Sequence, residues 1–140
     1  MAIEAGERVI EHVRQRTSYD CGVAVASMLT ALPYELVRLV AEECQLTSAR
    51  GMSPTGLARL LTNVSGVAWR RRRPAALGPF GTARLSRFAA LLAVDENKGH
   101  WVAVSSGRVY DPERPDSVPI GTYSEGLERR VAFVVARAAE

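Results

Sequence analysis

His100-Trp101-Val102-Ala103-Val104-Ser105-Ser106-Gly107-Arg108-Val109-Tyr110-Asp111 is two short apolar-rich runs set around Ser106-Gly107. A Ser-Gly pair between such runs reads as a two-residue hairpin loop joining antiparallel strands. With that loop, Ser105 pairs with Arg108 and Val102 stands opposite Asp111. Side chains alternate between faces, so His100, two residues from Val102, shares a face with Asp111. The two are then diagonal neighbours, ~7–8 Å apart at the backbone and within reach of each other's side chains. A three-residue loop would put them on opposite faces.

Residues 87–94 and 130–137, rich in Val, Leu, Ala and Phe, read as further strands, although helix remains open for the first of them. Upstream the period becomes helical. From Cys21 the residues Val25, Met28, Leu29 and Leu32 recur at helical spacing and stop at Pro33, with Asp20 as the expected N-cap. Leu36, Val40 and Cys44 form the stripe of a second helix. Ser53-Pro54 opens a third, carried by Leu57, Leu60, Leu61 and Val64 and ended before Gly66. Residues 8–16 fit a strand or a short helix. Helices first and an antiparallel sheet after give an α+β fold, the N-terminal helices packed on the C-terminal sheet, rather than alternating βαβ units. At 140 residues, with no repeat or linker, the expectation is a single domain, 1–140, large enough to bury a core unaided.

Composition excludes several classes. Hydrophobic residues make up 47% and charged residues 24%, which rules out a disordered chain. The longest apolar run, Phe88 to Val94, falls far short of the ~20 residues that span a bilayer. Glu4, Glu7 and Glu11 stand where a secretory signal needs a basic then apolar stretch. The expected location is cytoplasmic, with virion or effector delivery left open. Two cysteines cannot make a disulfide framework, and Cys21, Cys44, His12 and His100 lack the paired spacings of structural zinc. No cofactor is expected.

The charge of +3 is unevenly spread. Residues 1–43 carry four Arg against seven acids, residues 44–94 carry eight Arg and no acid, and residues 95–140 carry six basic groups against eight acids. The densest feature, Arg70 to Arg73, reads first as an exposed strand end or loop and second as a dock for phosphate or carboxylates. It lacks the interleaved aromatics that nucleic-acid binders use for stacking, so no nucleic-acid partner is expected.

The chemistry concentrates in Gln15-Arg16-Thr17-Ser18-Tyr19-Asp20-Cys21-Gly22. A cysteine on the first turn of a helix meets the positive end of the macrodipole, which favours the nucleophilic thiolate. Gly22 would leave the sulfur open to a substrate. Gln15 is placed to donate, with the Cys21 backbone N–H, to a developing oxyanion. A thiolate nucleophile needs an imidazole to move a proton, and the imidazole needs an orienting group. His100 and Asp111 supply both, whereas His12 reads as surface and Cys44 as core packing. Trp101 reads either as a shield for the ion pair or as plain core.

Gln15, Asp20-Cys21-Gly22, the following helix with Met28, His100-Trp101-Val102 and Asp111-Pro112 together resemble the papain-like cysteine peptidases. The closest resemblance is to the bacteriocin-processing (double-glycine leader) peptidase domain and its stand-alone relatives. It covers roughly residues 9 to 115. It implies a papain-like fold with Cys21 as nucleophile, His100 as general acid/base, Asp111 as orienter and Gln15 as oxyanion donor. The implied activity is hydrolysis of a peptide or isopeptide bond through a thioester, on a peptide or protein substrate. A transamidase or glutamine deamidase with the same triad is the near alternative. A non-catalytic binding or structural protein on this scaffold, such as a virion component, is the distant one. Leader specificity is not implied, since the chain has neither the transmembrane run nor the phosphate loop of the transporters to which such domains are usually fused.

Overall fold

The computed structural model describes residues 10–48, 51–73, 87–95, 98–125 and 131–138. Three helices come first: α1 (Cys21–Thr30), α2 (Tyr34–Glu43) and α3 (Pro54–Ser65). They are followed by β1 (Trp69–Arg72), β2 (Arg87–Asp95), β3 (Lys98–Ser105), β4 (Arg108–Tyr110), β5 (Val118–Pro119), α4 (Ile120–Glu125) and β6 (Val131–Arg137). The strands form one sheet in the order β1-β6-β2-β3-β4-β5, and every pairing is antiparallel. The α+β expectation holds. The segment expected at 87–94 is a strand, and the one expected at 130–137 is a strand from Val131 onward, residue 130 lying outside the described residues.

The hairpin has the expected register: Ser105 pairs with Arg108, Val104 with Val109 and Ala103 with Tyr110. Ser106 and Gly107 both hold positive φ, 52° and 78°, as a two-residue turn matched to strand twist requires.

Two cores flank the sheet. One lies under α1–α3 and takes in Trp69, Ala89, Trp101, Ala103 and Val135 from the strands. The other gathers Phe88, Leu92, Val102, Val104, Val109 and Val134 with Tyr123 of α4, and Val118 and Ile120 pack against it. The α1 helix is buried from Cys21 to Leu29, on all sides rather than along one stripe, and packs on β3, α2 and α3. It ends where Ala31 turns left-handed (φ 60°), two residues before Pro33. The start of α3 is as read: the Ser53 hydroxyl accepts from the Gly56 N–H, with Pro54 at the first position and Gly66 closing the far end.

The rotation of α2 differs from the predicted stripe. Its buried residues are Tyr34, Val37 and Ala41, while Leu36 and Leu39 are 46% and 50% exposed and Val40 is half-buried. The Tyr34 hydroxyl donates to the buried Asp20 carboxylate, and this bond sets which face of α2 turns inward. Cys44 is therefore not core: it caps α2, half-buried, with the Asn63 amide 3.7 Å from its sulfur.

Residues 10–15, expected as strand or helix, are neither. They run beside the chain that follows Asp111, tied by the Gln15 N–H to the Pro112 carbonyl (3.0 Å) and by His12 Nε2 to the Arg114 carbonyl (2.6 Å). His12 is thus half-buried, its ring stacked 6.3 Å from that of Tyr110.

Candidate active site

Cys21 is the first residue of α1. The first bond of this helix runs from the Ala24 N–H to the Asp20 carbonyl, so the Cys21 N–H precedes the ladder and has no intrahelical acceptor. Asp20 holds the cap position without capping. Its backbone (φ −103°, ψ 20°) is not extended, and the carboxylate turns back to accept the Arg16 and Thr17 N–H groups, each at 2.9 Å, and the Tyr34 hydroxyl. Burial alone would raise the Asp20 carboxyl, but the Tyr34 hydroxyl and the two backbone donors outweigh it and hold it below its usual value. Asp20 thereby fixes the loop that delivers Cys21.

Gly22 has a packing reason to be glycine. A Cβ at this position would meet Met52 Cβ at 3.1 Å and Met52 Sδ at 3.2 Å, so glycine here admits the loop before α3 against the helix start. The Met52 carbonyl accepts the Trp101 indole N–H at 2.8 Å. Trp101 is 1% exposed in the helix-side core, and its backbone N–H donates to Cys21 Sγ at 3.5 Å.

His100 lies on β3 and Asp111 just beyond β4, both buried. By register from Val102 and Val109 they belong to the face that carries α4. His100 Nε2 donates to Asp111 Oδ1 at 2.6 Å, as the hairpin reading requires, and Cys21 is near enough to favour the charged form of the ring. With Nε2 committed to Asp111, Nδ1 is the nitrogen available to the sulfur. Asp111 Oδ1 takes the Glu113 N–H as well (2.9 Å), and Oδ2 takes the Tyr123 hydroxyl at 2.9 Å. The exposed Glu113 carboxylate stands 3.8 Å from His100 Nδ1.

Gln15 is less simply placed. Its amide N–H donates to the Thr17 carbonyl at 2.7 Å, and its Oε1 is buried without a partner. The amide nitrogen carries two protons, so one remains for another acceptor. No hydrogen bond joins Gln15 to Cys21, His100 or Asp111 among the described residues. Tyr123, Glu113, Met52 and Tyr34 went unread in the sequence. Only Glu113, two residues past Asp111, had a local signal to find.

Burial would lower the His100 pKa, but the Asp111 bond and the Cys21 contact reverse this and push it up to about 10. Burial would raise Asp111, and the bond to His100, with Glu113 N–H and the Tyr123 hydroxyl, holds it down instead. A base whose folded pKa is raised contributes its full stability below the unfolded value, ~6.5, and loses it as pH rises toward about 10. Asp111, lowered, contributes above the unfolded ~3.9 and loses that as pH falls. Urea-unfolding stability is therefore expected to decline across pH 6.5 to 10, and the decline to be shallower in Asp111→Asn, where the main partner of the imidazolium is weakened.

A cleft of about 280 Å³ is lined in part by Met52, which packs against the Gly22 position, and by Gly99, the residue before His100, but not by Cys21, His100 or Asp111 themselves. His100, Asp111 and Glu113 also lie close enough together to share a cation, but Asp111 already accepts three hydrogen bonds. Among the described residues no helix is long and apolar enough to cross a membrane.

No family model matches this chain, and no curated protein matches it. Solved structures do. The peptidase domain of Streptococcus ComA, a bi-functional ABC transporter involved in a quorum-sensing pathway, aligns with a TM-score of 0.65 at 12% identity, over 91% of this chain and 96% of that one. A double-glycine-motif protease from an AMS/PCAT transporter, in complex with the leader peptide, gives a TM-score of 0.62 at 15% identity, over 91% and 90%. The chain has the α+β fold of these peptidase domains.

Proposed function

We propose that a chain with this fold acts as a cysteine peptidase, hydrolysing a peptide or isopeptide bond through a thioester on Cys21. The observation that carries the reading is the buried His100–Asp111 pair, 2.6 Å between Nε2 and Oδ1, with Cys21 at the start of α1 near enough to favour the imidazolium. The sulfur attacks the carbonyl carbon. The C–N bond then breaks as the His100 imidazolium passes its proton to the leaving amine, and the acyl group stays on sulfur. His100 next takes a proton from water, whose oxygen displaces the sulfur and releases the acid. Asp111, held by Tyr123 and the Glu113 N–H, keeps the imidazole oriented throughout.

The free Cys21 N–H and the second proton of the Gln15 amide are the donors for the developing oxyanion. The bond from Gln15 to the Thr17 carbonyl orients that amide. The cleft lined by Met52 and Gly99 supports the reading, because Gly99 precedes His100 and Met52 packs against the residue after Cys21, which gives an extended chain somewhere to lie one residue away from each. A peptide segment of the kind bound by the double-glycine-motif protease is a candidate substrate. No transporter coupling is implied.

A mass-spectrometric screen of a broad peptide library tests this. New termini are expected; acyl exchange without hydrolysis would indicate a transamidase, a mass gain of one unit at glutamine a deamidase, and silence a non-catalytic scaffold. Within that screen, Gln15→Ala is expected to raise the barrier by ~2.7–4 kcal/mol, the loss typical of one oxyanion donor. A wild-type rate in this variant would remove Gln15 from the mechanism.

A further inference from the structure

A second cavity, about 300 Å³, lies between α3 and β1 and shares no residue with the Cys21 cluster. Ala58 and Trp69 give it an apolar floor, both almost buried, while Arg59, Arg70 and Arg71 line it and are exposed. None of these three guanidinium groups has an acidic partner among the described residues. The contrast with α2 is sharp: there Glu35 meets both Arg16 and Arg38, and Glu42 meets Arg38 again. Residues 44–94 hold no acid at all, so neither α3 nor β1, the two elements that line the cavity, carries a carboxylate to offset its positive charge.

The backbone adds a second feature. Strand β1 ends the sheet, and its pairing with β6, continued by the Ala138 N–H to the Ala68 carbonyl, turns the backbone groups of residues 69 and 71 outward. Those of Trp69 are taken by the Thr62 hydroxyl, which accepts the N–H at 3.0 Å and donates to the carbonyl at 3.4 Å. Those of Arg71 have no such cover among the described residues. Among the described residues the cavity therefore presents an apolar floor, the outward N–H and C=O of Arg71, and three guanidinium groups without an acidic partner, that of Arg71 lying over the Phe133 ring at 6.0 Å.

We propose that this groove binds a linear acidic peptide segment with one large apolar residue. The apolar side chain lies over Trp69 and Ala58, the peptide backbone pairs at Arg71, and flanking Asp or Glu carboxylates meet Arg59, Arg70 and Arg71. The assignment is independent of the peptidase reading.

The test is fluorescence polarisation of fluorescein-labelled Glu-Asp-Phe-Asp-Glu-Glu titrated with the full chain. Saturable binding is expected, with none for the same peptide bearing Lys at its acidic positions. Arg59→Glu with Arg71→Glu should weaken binding by roughly tenfold or more, and Arg59→Lys with Arg71→Lys should retain most of it. Iodoacetamide labelling of Cys21 should be the same in all of these, which separates this groove from the reactive site. If the Glu double variant melts early, Arg59→Gln with Arg71→Gln replaces it. Undiminished binding in the reversal and Gln variants would overturn the proposal. So would equal displacement by inorganic phosphate or a DNA oligonucleotide, or a chain dimer that the Glu variant dissociates in the absence of peptide binding.

Discussion

Cys21→Ala and His100→Ala are each expected to abolish turnover of any library peptide the wild type cleaves, a loss of roughly 10⁴-fold or more, and the double variant to fall little further. The two side chains act in one proton-coupled step, so removing either removes the step. Asp111→Asn should leave a measurable remnant, for a structural reason. Asp111 Oδ1 accepts from His100 and Oδ2 accepts from Tyr123. An amide can keep its oxygen toward His100 if its NH₂ faces Tyr123, because a phenol hydroxyl rotates to accept as readily as it donates. The ring stays oriented while the charge that stabilises the imidazolium is gone. Turnover measured in Asp111→Asn with Tyr123→Phe then separates orientation from charge: the double variant should lose the remnant. Full activity in Cys21→Ala would end the thioester reading outright.

Much of this arrangement was legible because it is local. The His100–Asp111 pair follows from a two-residue loop whose Ser106 and Gly107 accept positive φ, and the count along two strands does the rest. The α3 helix announces both ends with Ser53-Pro54 and Gly66. What escaped the reading depends on partners far apart in sequence. Two apolar stripes overlap on α2, and the choice between them is made by Tyr34 reaching Asp20, fourteen residues away. Gly22 has no local reason to be glycine; the reason is Met52. Strand β1 is mostly arginine and carries no alternation, so only its pairing with β6 and the burial of Trp69 make it a strand. The six residues of α4 show no helical period, yet they bring Tyr123 to Asp111. The Gln15 amide was read from its spacing to Cys21, and its bond to the Thr17 carbonyl was not visible at that level.

Trp101→Ala is expected to cost ~3–5 kcal/mol of stability, the largest effect of any single substitution in the helix-side core. The side chain is 1% exposed, among the largest of the fully buried ones, and stands between the sheet and the helices. Truncation leaves a cavity there, and it also strips the Met52 carbonyl of its indole donor. Trp101→Phe separates the two losses. It keeps most of the volume but not the N–H, so its cost should be nearer the ~1–3 kcal/mol of one unsatisfied buried acceptor. The functional consequence differs from the stability ranking. Met52 packs against Gly22, the residue after Cys21, and lines the cleft, so a carbonyl released from Trp101 frees that wall to shift. Trp101→Phe should therefore raise KM for a cleaved peptide more than it lowers kcat, while the Trp101 backbone N–H still reaches the sulfur. Urea unfolding of both variants checks the first part and steady-state kinetics the second. Equal stability losses for Ala and Phe would mean that the hydrogen bond, not the packing, carries the effect.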